Sequence, residues 1–466
     1  LVGKALILYT QTMPPLFDSL IILALLILAA RFVKRSSMTL QKFFIPSSLI
    51  AGFAGLILGP QLLGTLPAEV TDYWQQLPKY LITVVFAGLF LGKMIPSTKE
   101  IWRQGAPMIA FGNTLAWGQY VVGIGLTMLI LTPLFGANPL AGGLIELGFE
   151  GGHGSASGLA PTYAQFGWPQ GADIALALAT LSLLVSIVTG IILINWHHRR
   201  SGYLSTAEDW RHQRRQLIRN GYSLTALSRR ANSQPLAIGT NLIAFAVAIG
   251  LGWLILQGLI LAENFLVGDL TDLRFFTYLP LFPLAMIGGL LVQLFLRRIK
   301  RQTLVQRRTA EIFSAIALDV LIASAVATIS LQAIQENLAI FIVLGVAGIV
   351  WILGCLLVLG PRMFPVHWFE NGITNTGQSM GMTATGLLMN RLADPSNKTH
   401  AREGFSYKQL VFEPFMGGGI ITAGAAIVIY ELGSWFALIT ATVATVFWLV
   451  LGLWLGRHHH YHRVQD

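Results

Sequence analysis

Apolar residues run along this chain in stretches of about 20, the length an α-helix needs to cross roughly 30 Å of hydrocarbon. The pattern predicts spans near 16–34, 45–63, 79–95, 105–134 and 172–195 in a first half. A second half gives spans near 236–262, 277–296, 311–331, 338–359 and 408–430, and one more, near 434–456, follows without a counterpart. Between the fourth and fifth span of each half, a Gly-, Ser- and Thr-rich segment interrupts the pattern. It reads FEGGHGSASGLAPT from Phe149, and FENGITNTGQSMGMTATG from Phe369. Irregular backbone at membrane depth is tolerated only where protein buries it or where it lines a cavity. Two breaks at corresponding places in two halves point to a transporter's binding site.

Loop charge orients the spans. The segment 196–235 carries Arg199, Arg200, Arg211, Arg214, Arg215, Arg219, Arg229 and Arg230 against Glu208 and Asp209, which places it in the cytoplasm. Counting outward, Arg31, Lys34, Arg35 and Lys42 fall on the same side, as do Lys99, Arg103 and the group from Arg297 to Arg308. The loops holding Glu69 and Asp72, and Glu263, Asp269 and Asp272, fall outside. The N-terminus is then outside and the C-terminus inside, in a cell inner (plasma) membrane.

Five spans is an odd number, so the second half runs opposite to the first. The FEGG segment enters and leaves from outside, the FENG segment from the cytoplasm. The expected fold is an all-α integral membrane protein, an inverted repeat of two five-span halves with a re-entrant hairpin between the fourth and fifth span of each. The first repeat covers 1–195 with its hairpin at 138–168, and the basic loop covers 196–235. The second repeat covers 236–430 with its hairpin at 363–392, and 431–466 holds the extra span and a His-rich tail. A second echo supports the repeat. Pro46 precedes Ala51-Gly52 as Pro283 precedes Gly288-Gly289, a first-turn proline followed by small residues where a backbone can approach.

Composition agrees. The chain is 54% hydrophobic and 11% charged, with a mean hydropathy of +0.64. Its net charge of +10 lies in short loops between apolar spans, which suits orientation in a bilayer and argues against nucleic acid. Cys355, the single cysteine, has no partner for an intrachain disulfide. The chain opens Leu1-Val2, and no basic n-region with a small-residue cleavage site suggests a cleaved signal peptide.

Gly151-Gly152-His153-Gly154-Ser155-Ala156 resembles the first-hairpin motif of the sodium/glutamate symporter family. Met382-Thr383-Ala384-Thr385-Gly386 is similar to its second, and Ile45-Pro46-Ser47-Ser48 running to Leu58-Gly59-Pro60 also fits. The resemblance covers about 16–430. It implies a five-plus-five inverted architecture, a homodimer, sodium as the coupling ion, no other cofactor, and elevator-like movement of a transport domain. The chain departs from the family's glycine-rich second hairpin in its polar run of Asn371, Thr374, Asn375, Thr376, Gln378 and Ser379. The span at 434–456 and the basic loop also depart from it.

The hairpin residues suit such cargo. Sodium must exchange its water shell for carbonyl, hydroxyl, amide and carboxylate oxygens. The residues assigned to it are Glu150, Ser157, Glu370, Asn371, Thr374, Ser379, Thr383 and Asp319. An acidic amino acid needs donors, and backbone N–H groups opening a helix supply them. The substrate set is Gly151, Gly152, His153, Gly154, Ser155, Asn375, Thr376 and Gln378. Each assignment has a plainer counterpart. The glycines also suit a sharp turn, His153 a brace at the tip, and Asp319 a pairing with a polar neighbour. Glu150 and Glu370, in matching places, are either counter-charges, protonatable groups, or acceptors for the hairpins' own backbone. An idle charge there would cost roughly 2.5–3.5 kcal/mol. Glu146, a turn before Glu150, faces water in this reading. Asn113 and Gln119 either complete the site or link helices. Asp173 and Glu413, in the first turn of the span after each hairpin, suit helix dipoles, and Gly417-Gly418-Gly419 suits either sliding or close packing of a span.

Four functions compete. The first is sodium-driven import of glutamate or a related acidic amino acid by alternating access. The second is sodium- or proton-coupled transport of another small organic anion, and the third is an ion channel. The fourth, an intramembrane enzyme built on Ser155 and His153, is disfavoured because no acid is placed to orient the histidine. There is no P-loop for ATP, and no metal-ligand spacing.

Overall fold

The computed structural model describes residues 15–42, 44–201, 237–266 and 274–462. Most of the basic loop, the loop positions Asp269 and Asp272, and the extreme termini lie outside the described residues. Among those described, all regular structure is helical, and eight helices are long and apolar enough to cross a membrane. The protein is a multi-pass, all-α membrane protein.

The helices fall into two packed groups. Pro15–Ser36, Ser47–Leu58, Ala68–Ala87, Ile238–Leu266, Leu281–Arg298 and Arg307–Ala327 pack mainly on one another. Small residues let them approach: a Cβ on Gly288 would lie 2.0 Å from the Ala248 carbonyl oxygen. The second group holds Thr98–Leu126, the two interrupted segments, Gln170–Ser201, Leu338–Val358, Ala401–Phe412 and Ile420–His462. The groups meet largely where Gly152–Gly158 lies on Ala68–Ala87 and Arg307–Ala327.

Three expected spans are shaped differently. Of 45–63 only Ser47–Leu58 is helical, 12 residues and too short to cross the hydrocarbon as a regular helix. A helix runs over Ala68–Ala87 where 79–95 was expected. Its first turns carry Glu69, Asp72, Gln75 and Gln76, whose polarity conceals the helix from a hydropathy reading. So Glu69 and Asp72 are helical rather than in a loop. The chain after Ala87 is tied down by Arg307, whose Nη1 donates to the Gly88, Leu89 and Leu91 carbonyls, and by Gln293 Oε1, which accepts from Gly92 N–H. Glu263, expected in a loop, lies within the helix Ile238–Leu266 and is buried. Its carboxylate accepts the N–H groups of Phe275, Phe276 and Thr277.

The expected span 408–430 is not continuous. The helix Ala401–Phe412 ends, residues 413–419 are non-helical, and helix resumes at Ile420. Gly417 and Gly418 have φ of 66° and 101°, a region open to glycine and closed to most side chains. Residues 434–456, expected as an extra span, are helical within Ile420–His462. Within Ile420–His462 the backbone leaves helical geometry at Gly433 (φ 86°, ψ 159°). The parts on either side pack at opposite ends, Tyr430 stacking on Phe166 and Gly456 lying against Met363.

Gln170–Ser201 acts as a ruler for the interrupted segments. Its 32 residues span about 48 Å at 1.5 Å per residue. Trp168, just before its start, lines a surface pocket of about 470 Å3 together with Gly136, Asn138 and Pro139. Both limits of the first segment therefore lie at this end. At the far end the His197 ring stacks on Phe369 at 4.0 Å, and His198 Nε2 lies 3.1 Å from the Ala393 carbonyl. Both limits of the second segment lie there. In between, His153 Nε2 meets Thr180 Oγ1 at 3.0 Å, and Ser186 Oγ approaches the Gly377 carbonyl at 3.5 Å.

Candidate functional site

Three interruptions of helical backbone converge at the middle of this frame. The first follows Leu144–Phe149, where Glu150 closes one helix and Gly152 (φ 65°) opens the next. The second is Met380–Met382, between Trp368–Ser379 and Thr383–Ala393. The third is 413–419. A Cβ on Gly152 would sit 3.4 Å from the Gly381 carbonyl oxygen, and one on Gly417 would sit 3.4 Å from that of Glu150. Here the glycines let three backbones approach one another closely.

Glu150 is the join. Its Oε1 accepts from Ser379 Oγ at 2.6 Å, and its Oε2 accepts from Gln378 Nε2. A buried carboxylate requires such donors, because an unpaired charge removed from water is very costly. The far side of the Gln378 amide accepts from Lys408 Nζ at 2.6 Å. Lys408 is completely buried, and its ammonium lies 3.5 Å from the centre of the Phe412 ring. Beside this chain, Glu146 accepts from Tyr120 OH at 2.6 Å, Thr422 Oγ1 at 2.7 Å and Gly417 N–H at 3.2 Å. Two carboxylates from the first interrupted segment thus hold the second and third interruptions.

Several expected residues meet here and others do not. Gly151, Gly152, His153, Gly154 and Ser155 form the first turn beyond Glu150. Gln378 and Ser379 contact Glu150. Asn375 Oδ1, Thr376 Oγ1 and Ser155 Oγ are buried without a hydrogen-bond partner in the protein, so each has capacity for a ligand. Both polar atoms of Gln119 are in the same state, whereas Asn113 Nδ2 is used by the Ile109 carbonyl.

Ser157 Oγ donates to the His153 carbonyl, and Thr374 Oγ1 to the Glu370 carbonyl while accepting from Asn390 Nδ2. Thr383 Oγ1 donates to Glu413 Oε1 and accepts from Gln409 Nε2. Asn371 bonds the Val366 and His367 carbonyls at the start of its helix. Asp319 stays in the other helix group, paired with Arg31 at 2.9 Å.

Three readings are corrected. Glu146 does not face water; it is fully buried. Glu150 and Glu370 do not occupy matching places. Glu150 ends a limb at the centre, while Glu370 begins one, 3.7 Å from His197 Nε2. Glu413 follows a helix rather than opening one, within the third interruption.

Sequence reasoning passed over Lys408, Tyr120 and Thr422. For Lys408 a signal was present. Phe405 and Phe412 stand three residues before and four after it, on one face of a helix, and Pro414 with three glycines follows. A cation flanked by aromatics just before a glycine-rich break is a motif in its own right.

Comparison with known proteins agrees with the resemblance carried by the first break. The family model described as "Sodium/glutamate symporter" matches residues 15–366, taking in Glu146 and Glu150 and ending just before Trp368. A sodium/glutamate symporter of Haemophilus influenzae (strain ATCC 51907 / DSM 11121 / KW20 / Rd) is 27% identical over 182 residues, 37% of this chain and 42% of that protein. The match thus spans less than half the length of this curated relative. The matched family is one of symporters, not enzymes, and the model covers well over half of the sequence. The chain belongs to the sodium/glutamate symporter family.

Proposed function

We propose that this protein is a sodium-coupled secondary transporter that imports glutamate or a related acidic amino acid by alternating access. The observation that carries the reading is the bond set from Gln378 and Ser379 to Glu150, which joins two interrupted segments at mid-frame. Each segment begins and ends at one end of Gln170–Ser201, and the two use opposite ends. That supports two re-entrant hairpins of opposite sense, hence an inverted repeat with a site reachable from either face in turn. Buried oxygens of Glu150, Ser155, Asn375 and Thr376 supply the chemistry sodium needs, and N–H groups from Gly152 onward suit a carboxylate. The two helix groups support an elevator-like movement of the hairpin-bearing group against the other. The matched family brings a homodimer with it as an expectation. Loop charge supports an outside N-terminus and a cytoplasmic 196–235.

Proteoliposomes loaded without sodium and given an inward sodium gradient should accumulate labelled glutamate, and a choline gradient should not drive uptake. Absence of uptake under sodium would reject this cargo. A second reading keeps the fold and carries another small organic anion, coupled to sodium or protons. It is favoured by one observation: the family match ends at 366, so Gln378, Ser379 and Lys408 lie beyond it. Uptake of a dicarboxylate but not glutamate, under separately imposed sodium and pH gradients, would select it. Currents far above carrier turnover in a planar bilayer would instead indicate a channel.

A further inference from the structure

Lys408 is a fully buried lysine inside the cluster, and the site chemistry described so far gives it no task. Among the described residues no carboxylate stands within ion-pair distance of its ammonium. It donates one hydrogen bond, to Gln378 Oε1, and rests over the Phe412 ring. An ammonium has three N–H donors, so donor capacity is left over in a place where water is excluded. A lysine held only to offset Glu150 would be expected to meet that carboxylate directly rather than across Gln378, because an ion pair out of water repays its desolvation only in close, well-bonded geometry.

The Gln378 amide lies head to tail between opposite charges. Its oxygen faces the Lys408 ammonium and its nitrogen faces the Glu150 carboxylate. A ligand carrying both a carboxylate and an ammonium would make the same pair of contacts, with full charges in place of amide dipoles. Space at this point is set by Gly112. A Cβ there would lie 2.4 Å from Lys408 Cε, 3.0 Å from its Nζ and 3.3 Å from Asn375 Oδ1. The ammonium and a buried acceptor without a donor therefore border one small region.

We propose that Lys408 anchors a carboxylate of the transported substrate, and that the Gln378 side chain fills this anchor in the empty carrier and yields it when substrate binds. The substrate class is an α-amino acid, its carboxylate on Lys408 and its ammonium toward Glu150. The inference rests on the transport reading above and adds the residue that recognises the anion.

The test is thermal unfolding of the purified full-length protein in sodium chloride or choline chloride. The ligands are glutamate, its α-amide isoglutamine, its side-chain amide glutamine, and succinate. A ligand that binds the folded state raises apparent stability. Lys408→Met should weaken the apparent affinity for glutamate at least thirtyfold and leave the shift caused by sodium alone in place. Lys408→Arg should retain more affinity than Lys408→Met. The amide lacking the carboxylate that Lys408 holds should bind the parent and Lys408→Met equally. Lys408→Gln, polar and of similar reach, is run in parallel in case the apolar variant does not fold. Glutamate affinity within threefold of the parent in Lys408→Met or Lys408→Gln overturns the inference. So does a variant that keeps glutamate affinity and gains sodium affinity, which would make the ammonium a stand-in for the coupling cation. If glutamate does not stabilise the parent, the cargo reading and the amino-acid class both fail, and only the carboxylate anchor at Lys408 is then tested, with succinate. If neither carboxylate stabilises the parent in sodium, the anchor is rejected too.

Discussion

Ser379→Ala should loosen the join between the two interrupted segments while leaving the rest of the molecule closed. Its hydroxyl donates to Glu150 Oε1 at 2.6 Å, and both residues are buried. Hydrogen bonds to charged groups contribute about 1.5–3 kcal/mol, and about 1.4 kcal/mol is a factor of ten in an equilibrium. Opening at the tips should therefore become roughly 10- to 150-fold more frequent. Gln378 still donates to Glu150, so the carboxylate is not left bare and the change stays local. Hydrogen exchange in lipid nanodiscs, read by mass spectrometry, measures local opening directly. Amides in 147–157 and 374–386 should exchange faster by that factor, with Leu338–Val358 unchanged. Thr442→Ala is the control. Its exposed hydroxyl bonds only the Leu438 carbonyl of its own helix, so no change at the tips is expected. Exchange at these breaks within twofold of the parent, or a rise spread evenly over the chain, would refute the claim that this bond holds the two interrupted segments together.

Glu150→Gln should insert and fold, yet lose at least tenfold in sodium-driven uptake or shift its sodium dependence. Unchanged uptake and coupling in proteoliposomes would reduce Glu150 to a structural acceptor. Gly418→Ala should destabilise by at least about 1–2 kcal/mol, since φ is 101° and the new Cβ would meet Ser155 Oγ at 2.3 Å and Phe86 Cζ at 2.4 Å. Gly239→Ala, where a Cβ meets nothing within 4 Å, should be neutral or slightly stabilising in the same melting assay. Asp394 lies in the turn between two helices. Burial pushes its pKa up, but the Thr399 hydroxyl and the Thr399 and Lys398 N–H groups outweigh this and hold it below the usual value. A depressed folded pKa gives stability that is complete above the unfolded value of about 3.9 and is lost as pH falls through the folded one. Asp394→Asn should therefore melt below the parent at pH 7, and the difference should close on acidification.

The sequence by itself determined that this chain lies in a bilayer, because runs of about 20 apolar residues have few other homes. It also marked two breaks, since Gly-, Ser- and Thr-rich backbone in such a setting must be buried or line a cavity. Hydropathy failed where polar residues are helical, as at Glu69 to Gln76, and where an apolar stretch hides a break, as at Gly417-Gly418. It also read Glu146 as wet, since one residue's burial depends on partners far along the chain. Only the tertiary structure brought Tyr120, Gly417 and Thr422 to Glu146, Gln378 and Ser379 to Glu150, and Lys408 to Gln378. Local pattern reports what a segment must hide. Which distant groups share the resulting low-dielectric space depends on how the helices pack around Gln170–Ser201, and that sets the pairing of buried charge.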